Sequence, residues 1–183
     1  SLKEKLEEVL RRSEENVERL RKENEDVAKK NREAIEEIKK RLDDVLRELR
    51  ERIERLKKEG VPGKDVERVR EELEKLVTEL RERVKKVAKE LEELHRRLDR
   101  ELEKVKETSK RLVEDLDRKS KDIPEEVIDR AVEELKKLND DLNRTVKKVI
   151  RESEELTETL RKDVKRVVDD LRRLVEELAR RVK

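Results

Sequence analysis

The stretch "EGVPGKD", residues 59–65, decides how this chain folds, because it gathers both of its glycines and one of its two prolines into four positions. Gly suits the residue just past a helix C-terminus, and Pro suits the first turn of the next helix. One helix therefore ends near residue 59 and another begins near 65. Working outward, the next interruption is "DRKSKDIPEEV", residues 117–127, which carries the second proline, Pro124. The spacing predicts three helices over 2–59, 65–118 and 124–182. Val61 and Ile123 each precede a proline, where an apolar side chain can pack as a hydrophobic staple.

At ~1.5 Å of rise per residue, each of these helices would extend roughly 80 Å. Short connections force neighbouring helices to run in opposite directions. The expectation is an all-α fold: a single domain over 1–183, built as a long, straight, antiparallel up-down-up three-helix bundle. Straightness follows from the period. Leu2, Leu20, Ile38 and Leu56 return to one register every 18 residues. Eighteen residues close five helical turns, whereas a strict heptad drifts by about 20° per repeat and imposes a supercoil. The second helix repeats in the same way as Val66, Val84 and Leu102, and the third as Leu135, Ser153 and Leu171.

Composition supports ordered helix over disorder. Charged residues make up 58 % of the chain and aromatics are absent, a mixture that normally cannot bury enough apolar surface to fold. Here, however, Leu, Val, Ile and Ala recur at helical spacing throughout. They fill a stripe broad enough to pack against two neighbours, with little apolar surface left outside it, so a closed monomer is expected. Acidic and basic residues nearly cancel, to a net charge of +2, and interleave. No nucleic-acid footprint results, and the stacking aromatics of single-strand binders are missing. Apolar residues never run beyond two in a row, so no membrane partner is expected. Localisation stays open beyond an expected soluble chain suited to recombinant cytoplasmic expression. With no Cys, disulfides and thiolate chemistry are excluded.

Nine polar residues occupy slots of the stripe where an aliphatic is due: Ser13, Asn16, Asn24, Asn31, His95, Ser109, Asn139, Ser153 and Thr157. For symmetric hairpins, residue i of the first helix faces about 122 − i in the second and about i + 119 in the third. That geometry predicts three clusters: Ser13 and Asn16 with Ser109; Asn24 with Asn139 and His95; Asn31 with His95, Ser153 and Thr157. A buried amide or hydroxyl without a partner costs about 1 to 3 kcal/mol, so these groups are expected to satisfy one another. The reading is a structural buried polar network that penalises helix slippage.

The same residues do not assemble a catalytic site. A zinc centre needs three or four convergent ligands, and His95 is the single His. Ser109 lies on the same helix as His95, 14 residues away, too far for a nucleophile–base pair. "GVPG" lacks the Lys and the spacing of a phosphate loop. The expectation is no enzyme, no catalytic residue, no metal, no cofactor and no small-molecule ligand.

The 18-residue register, short Gly/Pro connections, Glu/Lys/Arg surface, Leu/Val/Ile interior and interhelical Asn, Ser, Thr and His together resemble one family: de novo designed, parametrically generated helical bundles with buried hydrogen-bond networks. The resemblance implies a scaffold with no natural biochemical function. Two other readings stand beside it. One is a helical interaction or membrane-curvature module, which calls for a dimer face and a clustered basic surface. The other is a cage scaffold for a switchable latch helix.

Overall fold

A computed structural model describes residues 1–119 and 121–182 of the chain. Three helices account for nearly all of it: α1 (Leu2–Lys58), α2 (Gly63–Arg118) and α3 (Glu125–Ala179). Each lies within a few residues of its expected bounds. Ser1 caps α1, its Oγ accepting the backbone N–H of Glu4 at 3.3 Å. Glu4, Asp65 and the pair Glu125 and Glu126 place negative charge in the first turns, where the helix dipole favours it.

The end of α1 shows why "EGVPGKD" breaks the helix where it does. Gly60 has φ +99°, a left-handed conformation costly for any residue with a Cβ. The N–H of Val61 bonds to the carbonyl of Leu56, and the N–H of Gly60 to that of Lys57. This Schellman arrangement caps the last carbonyls and turns Val61 inward, buried in the same apolar cluster as Leu56. Pro62 then supplies the first acceptor of α2, bonding to the N–H groups of Asp65 and Val66. At the other connection, Ile123 packs partly buried against Leu6, Leu116 and Ile128. Val127 N–H closes the first turn of α3 onto the Pro124 carbonyl at 3.0 Å.

The chain divides into two compact units, and every helix contributes to both. The first unit is Ser1–Lys29 with Glu92–Ser153; the second is Lys30–Leu91 with Glu154–Lys183. Within the first unit, Ser13 meets Ser109 and Asn24 meets His95, so α1 and α2 are antiparallel there. Ser13 meets Asn139 and Arg19 meets Asn143, so α1 and α3 are parallel. The second unit repeats this topology through contacts of its own. Arg50 with Glu74 and Asp43 with Arg81 run antiparallel, Asn31 with Thr157 and Arg52 with Glu176 run parallel, and Arg83 with Asp163 and Asp65 with Arg181 run antiparallel. The up-down-up three-helix arrangement thus holds in each unit.

Their interiors differ. The second unit holds one continuous apolar cluster, running from Ile35 and Ile38 through Ile53, Leu73 and Leu80 to Leu171 and Leu178. The first holds two smaller ones, around Leu6, Val113 and Ile128 and around Leu20, Leu98 and Val146. The contrast is sharpest along α1. Its first half buries Leu6, Val9, Val17, Leu20 and Ala28; its second half buries Ala34, Ile35, Ile38, Leu42, Val45, Leu46, Leu49, Ile53 and Leu56.

Candidate functional site

The slots that α1 fills with Ser and Asn in place of Leu are occupied in the first unit by two polar layers. The first layer is centred on Asn139. Its Nδ2 donates to Ser13 Oγ at 3.0 Å and to the Leu135 carbonyl at 2.8 Å, while its Oδ1 accepts from Asn16 Nδ2 at 3.0 Å. Ser13 Oγ lies 2.8 Å from Ser109 Oγ, and either hydroxyl can donate. Asn16 Oδ1 in turn accepts from Arg19 Nη2 at 2.7 Å. A directional chain therefore runs from an exposed guanidinium, through two amides, to the Ser13 hydroxyl, which pairs with a hydroxyl on α2 that solvent does not reach. Ser13 and Ser109 are buried, whereas Asn16 and Asn139 are half-buried. The layer joins all three helices.

The second layer pairs α1 with α2. Asn24 Nδ2 donates to Asp99 Oδ1 at 2.8 Å and to the His95 carbonyl at 3.1 Å. Both amide hydrogens are then committed, which fixes the orientation of the amide and turns its Oδ1, an acceptor only, toward the imidazole. The His95 Nδ1 that faces it at 2.6 Å must carry the proton. Asn24 is 1 % exposed and His95 is also buried, so this pairing is sheltered from water. Ser153, fully buried in the same unit, donates to the Ile150 carbonyl at 2.7 Å, the local bond of a helical serine.

In the second unit, Thr157 Oγ1 donates to Asn31 Oδ1 at 3.3 Å, and both residues are buried. Also buried there is Asp163, which the reading of the stripe did not include. Its Oδ1 accepts from Arg166 Nη2 at 3.0 Å; its Oδ2 is shielded from solvent and lies 2.5 Å from Arg83 Nη2, an ion pair whose angle misses hydrogen-bond geometry. A signal for it was available. Asp163 follows Leu156 by seven residues and precedes Val167 by four, a helical spacing that marks an inward slot.

Two of the expected clusters need correction. Asn139 belongs with Ser13 and Asn16, and Asn24 takes Asp99 as its further partner. The cause is the α1–α3 register. The amide and hydroxyl contacts between these helices fall at sequence separations of 123 to 126, seen in Asn16 with Asn139 and in Ser13 with Asn139, where symmetric hairpins required about 119. Asn31 with Thr157 gives 126 in the second unit. The second connection therefore sets α3 more than a turn away from the symmetric register. The α1–α2 rule needs no such change, since Ser13 and Ser109 sum to 122.

An open groove of about 660 Å³ lies beside the first layer, with Val9, Leu135, Asn16 and Asn139 among its lining and Arg12 and Asp140 at its edges. Its amides are engaged with one another and with Arg19, and its charged lining mixes both signs. Near its end, Lys5 lies 3.6 Å from Asp129 and 3.4 Å from Glu125; Asp129 first, then Glu125, holds its ammonium pKa above the ordinary lysine value. Glu8 is held below the usual carboxylate value by hydrogen bonds from Arg11 and then Arg12, and Arg11 is raised in return, chiefly by Glu8. Among the described residues, no group of three or more His, Cys, Asp or Glu is placed to hold a metal ion. No described helix is long and apolar enough to cross a membrane.

Helix-surface ion pairs form at both helical spacings: Glu36 pairs with Lys39 and Glu133 with Lys136 at i,i+3, Arg11 with Glu15 and Arg19 with Glu23 at i,i+4, while Arg181 reaches across to Asp65. No protein-family model matches the sequence, and comparison with curated proteins and with solved structures likewise finds no match, so the polar layers must be understood from their own chemistry.

Proposed function

We propose that this chain is a structural scaffold, a designed helical bundle that acts as a monomer and carries no enzymatic activity, ligand or cofactor. Its buried polar groups serve to select one helix register among several that the apolar stripe would accept. The observation that carries this reading is the mutual satisfaction of the interior: Asn139, on α3, spends both N–H groups and its carbonyl on α1 and on its own helix, and Asn24, on α1, spends all of its own on α2. A group so engaged offers little to a substrate. Displacing one helix by a turn would separate its interhelical donors from their acceptors, whereas aliphatic contacts would reform with new neighbours.

The test replaces all nine polar residues together by aliphatics of similar size. Stability should hold or rise, because a fully apolar layer replaces a polar one without orphaned groups. Uniqueness should fall: the amide NMR spectrum should broaden or double, and light scattering should show mass beyond the 22.1 kDa of one chain. A variant with one sharp set of resonances at monomer mass would overturn the assignment of register selection to these groups.

A further inference from the structure

The two halves of α1 are attached by different means. Residues 2–29 bury five aliphatic side chains, while residues 30–58 bury nine. In the first half the vacated slots hold Ser13, Asn16 and Asn24, whose contacts are hydrogen bonds. Water can replace such bonds at little net cost, whereas it cannot replace aliphatic contact. Ion pairs to other helices follow the same division. The second half engages α2 and α3 through Asp43, Arg50, Arg52 and Glu54, the first half through Lys5 alone among the described residues. The second half is also tied to α2 by the Gly60 turn.

We propose that residues 2–29 form a displaceable segment, which leaves α2 and α3 as one cooperative unit while the second unit stays folded. Its departure uncovers an apolar trough on α2 and α3 that includes Leu98, Leu102, Leu135 and Val146. It also releases Ser109 and His95 to water. The trough is shaped for an amphipathic helix, and its resident occupant is the segment itself.

Native-state amide hydrogen exchange on the intact chain, read by mass spectrometry, tests this. Amides between Val17 and Ala28 should share one protection factor, at least about 100-fold below that of amides between Ile35 and Leu56, with a weaker dependence on denaturant. Equal protection in the two halves would overturn the proposal. So would a smooth gradient rising from Val9 to Ala28, which is simple end fraying. A variant combining Ser13→Ala, Asn16→Leu, Ser109→Ala and Asn139→Leu sharpens the result. Protection over 17–28 should rise at least tenfold with 35–56 unchanged; a parallel rise in both, or no rise, counts against a separate segment.

Discussion

The two units share three helices and one topology, yet they are held together differently. The second is built around one aliphatic cluster edged by interhelical ion pairs, with Asn31, Thr157 and Asp163 also buried in that unit; the first alternates apolar clusters with polar layers. Each fully buried aliphatic side chain contributes about 1.5 to 3 kcal/mol, whereas a satisfied hydrogen bond contributes about 1 kcal/mol net. Equal lengths of the same helix can thus have unequal hold on their neighbours. What the polar layers supply is geometric: an amide meets its partner in one alignment, while leucine packs acceptably in several.

The largest expected effect tests the apolar side of this contrast. Leu171→Ala, at a fully buried position of the second unit, should cost about 2 to 5 kcal/mol in denaturant unfolding. Leu6→Ala, equally well buried in the first unit, should cost less in global stability, because a segment that opens separately limits what its own loss can remove. Equal costs at the two sites would break the comparison.

The polar side gives a middle-sized effect. Asn24→Leu strands the Nδ1–H of His95 in a buried place and should cost about 1 to 3 kcal/mol. Adding His95→Leu removes the stranded donor and should restore most of that loss. A double variant whose cost is the sum of the two singles, by thermal or chemical melts, would mean that the pair is not coupled.

The smallest effect concerns charge at the end of the first unit. Glu8 has its pKa lowered by Arg11 and Arg12, so its contribution to stability is present above the unfolded value of 4.5 and is lost as pH falls through the folded one. Lys5, raised by Asp129 and Glu125, has the opposite sign: its contribution is complete below the unfolded value of 10.5 and is lost as pH rises through the folded one. All of these side chains are well exposed, so salt should screen both effects. Carboxyl and amine titrations by NMR should show the two displacements in these directions, and Glu8→Gln should leave the melting temperature nearly unchanged. A large drop would show that the first unit depends on surface charge more than its polar layers suggest.

Much of this molecule was legible in the residue order. Gly60 and Pro62 located the first turn because glycine accepts the left-handed φ of a helix end and proline's fixed φ suits the start of the next helix, and the 18-residue register placed Leu20, Ile38 and Leu56 inside. Ser13 with Ser109 followed from a tight, nearly symmetric connection. The partner of Asn139 did not, since residues 119–124 permit more than one axial offset and the local sequence favours none of them. Asp163 escaped for another reason: a carboxylate in a charged chain looks like surface until Arg83 and Arg166 are seen to converge on it. The Ser1–Glu4 cap, by contrast, has a signal in the sequence, a Ser just before the helix expected from residue 2 with Glu three residues on.

The orientation of Asn24 carries a last consequence. Because that amide has spent both of its hydrogens, it chooses between two tautomers of the imidazole opposite, and the choice is made from a different helix. The docking of α1 on α2 is thereby written into the chemistry of a single ring atom. A histidine methylated at Nδ1 has no proton to give there, sets a methyl group against the Asn24 oxygen in its place, and would be refused.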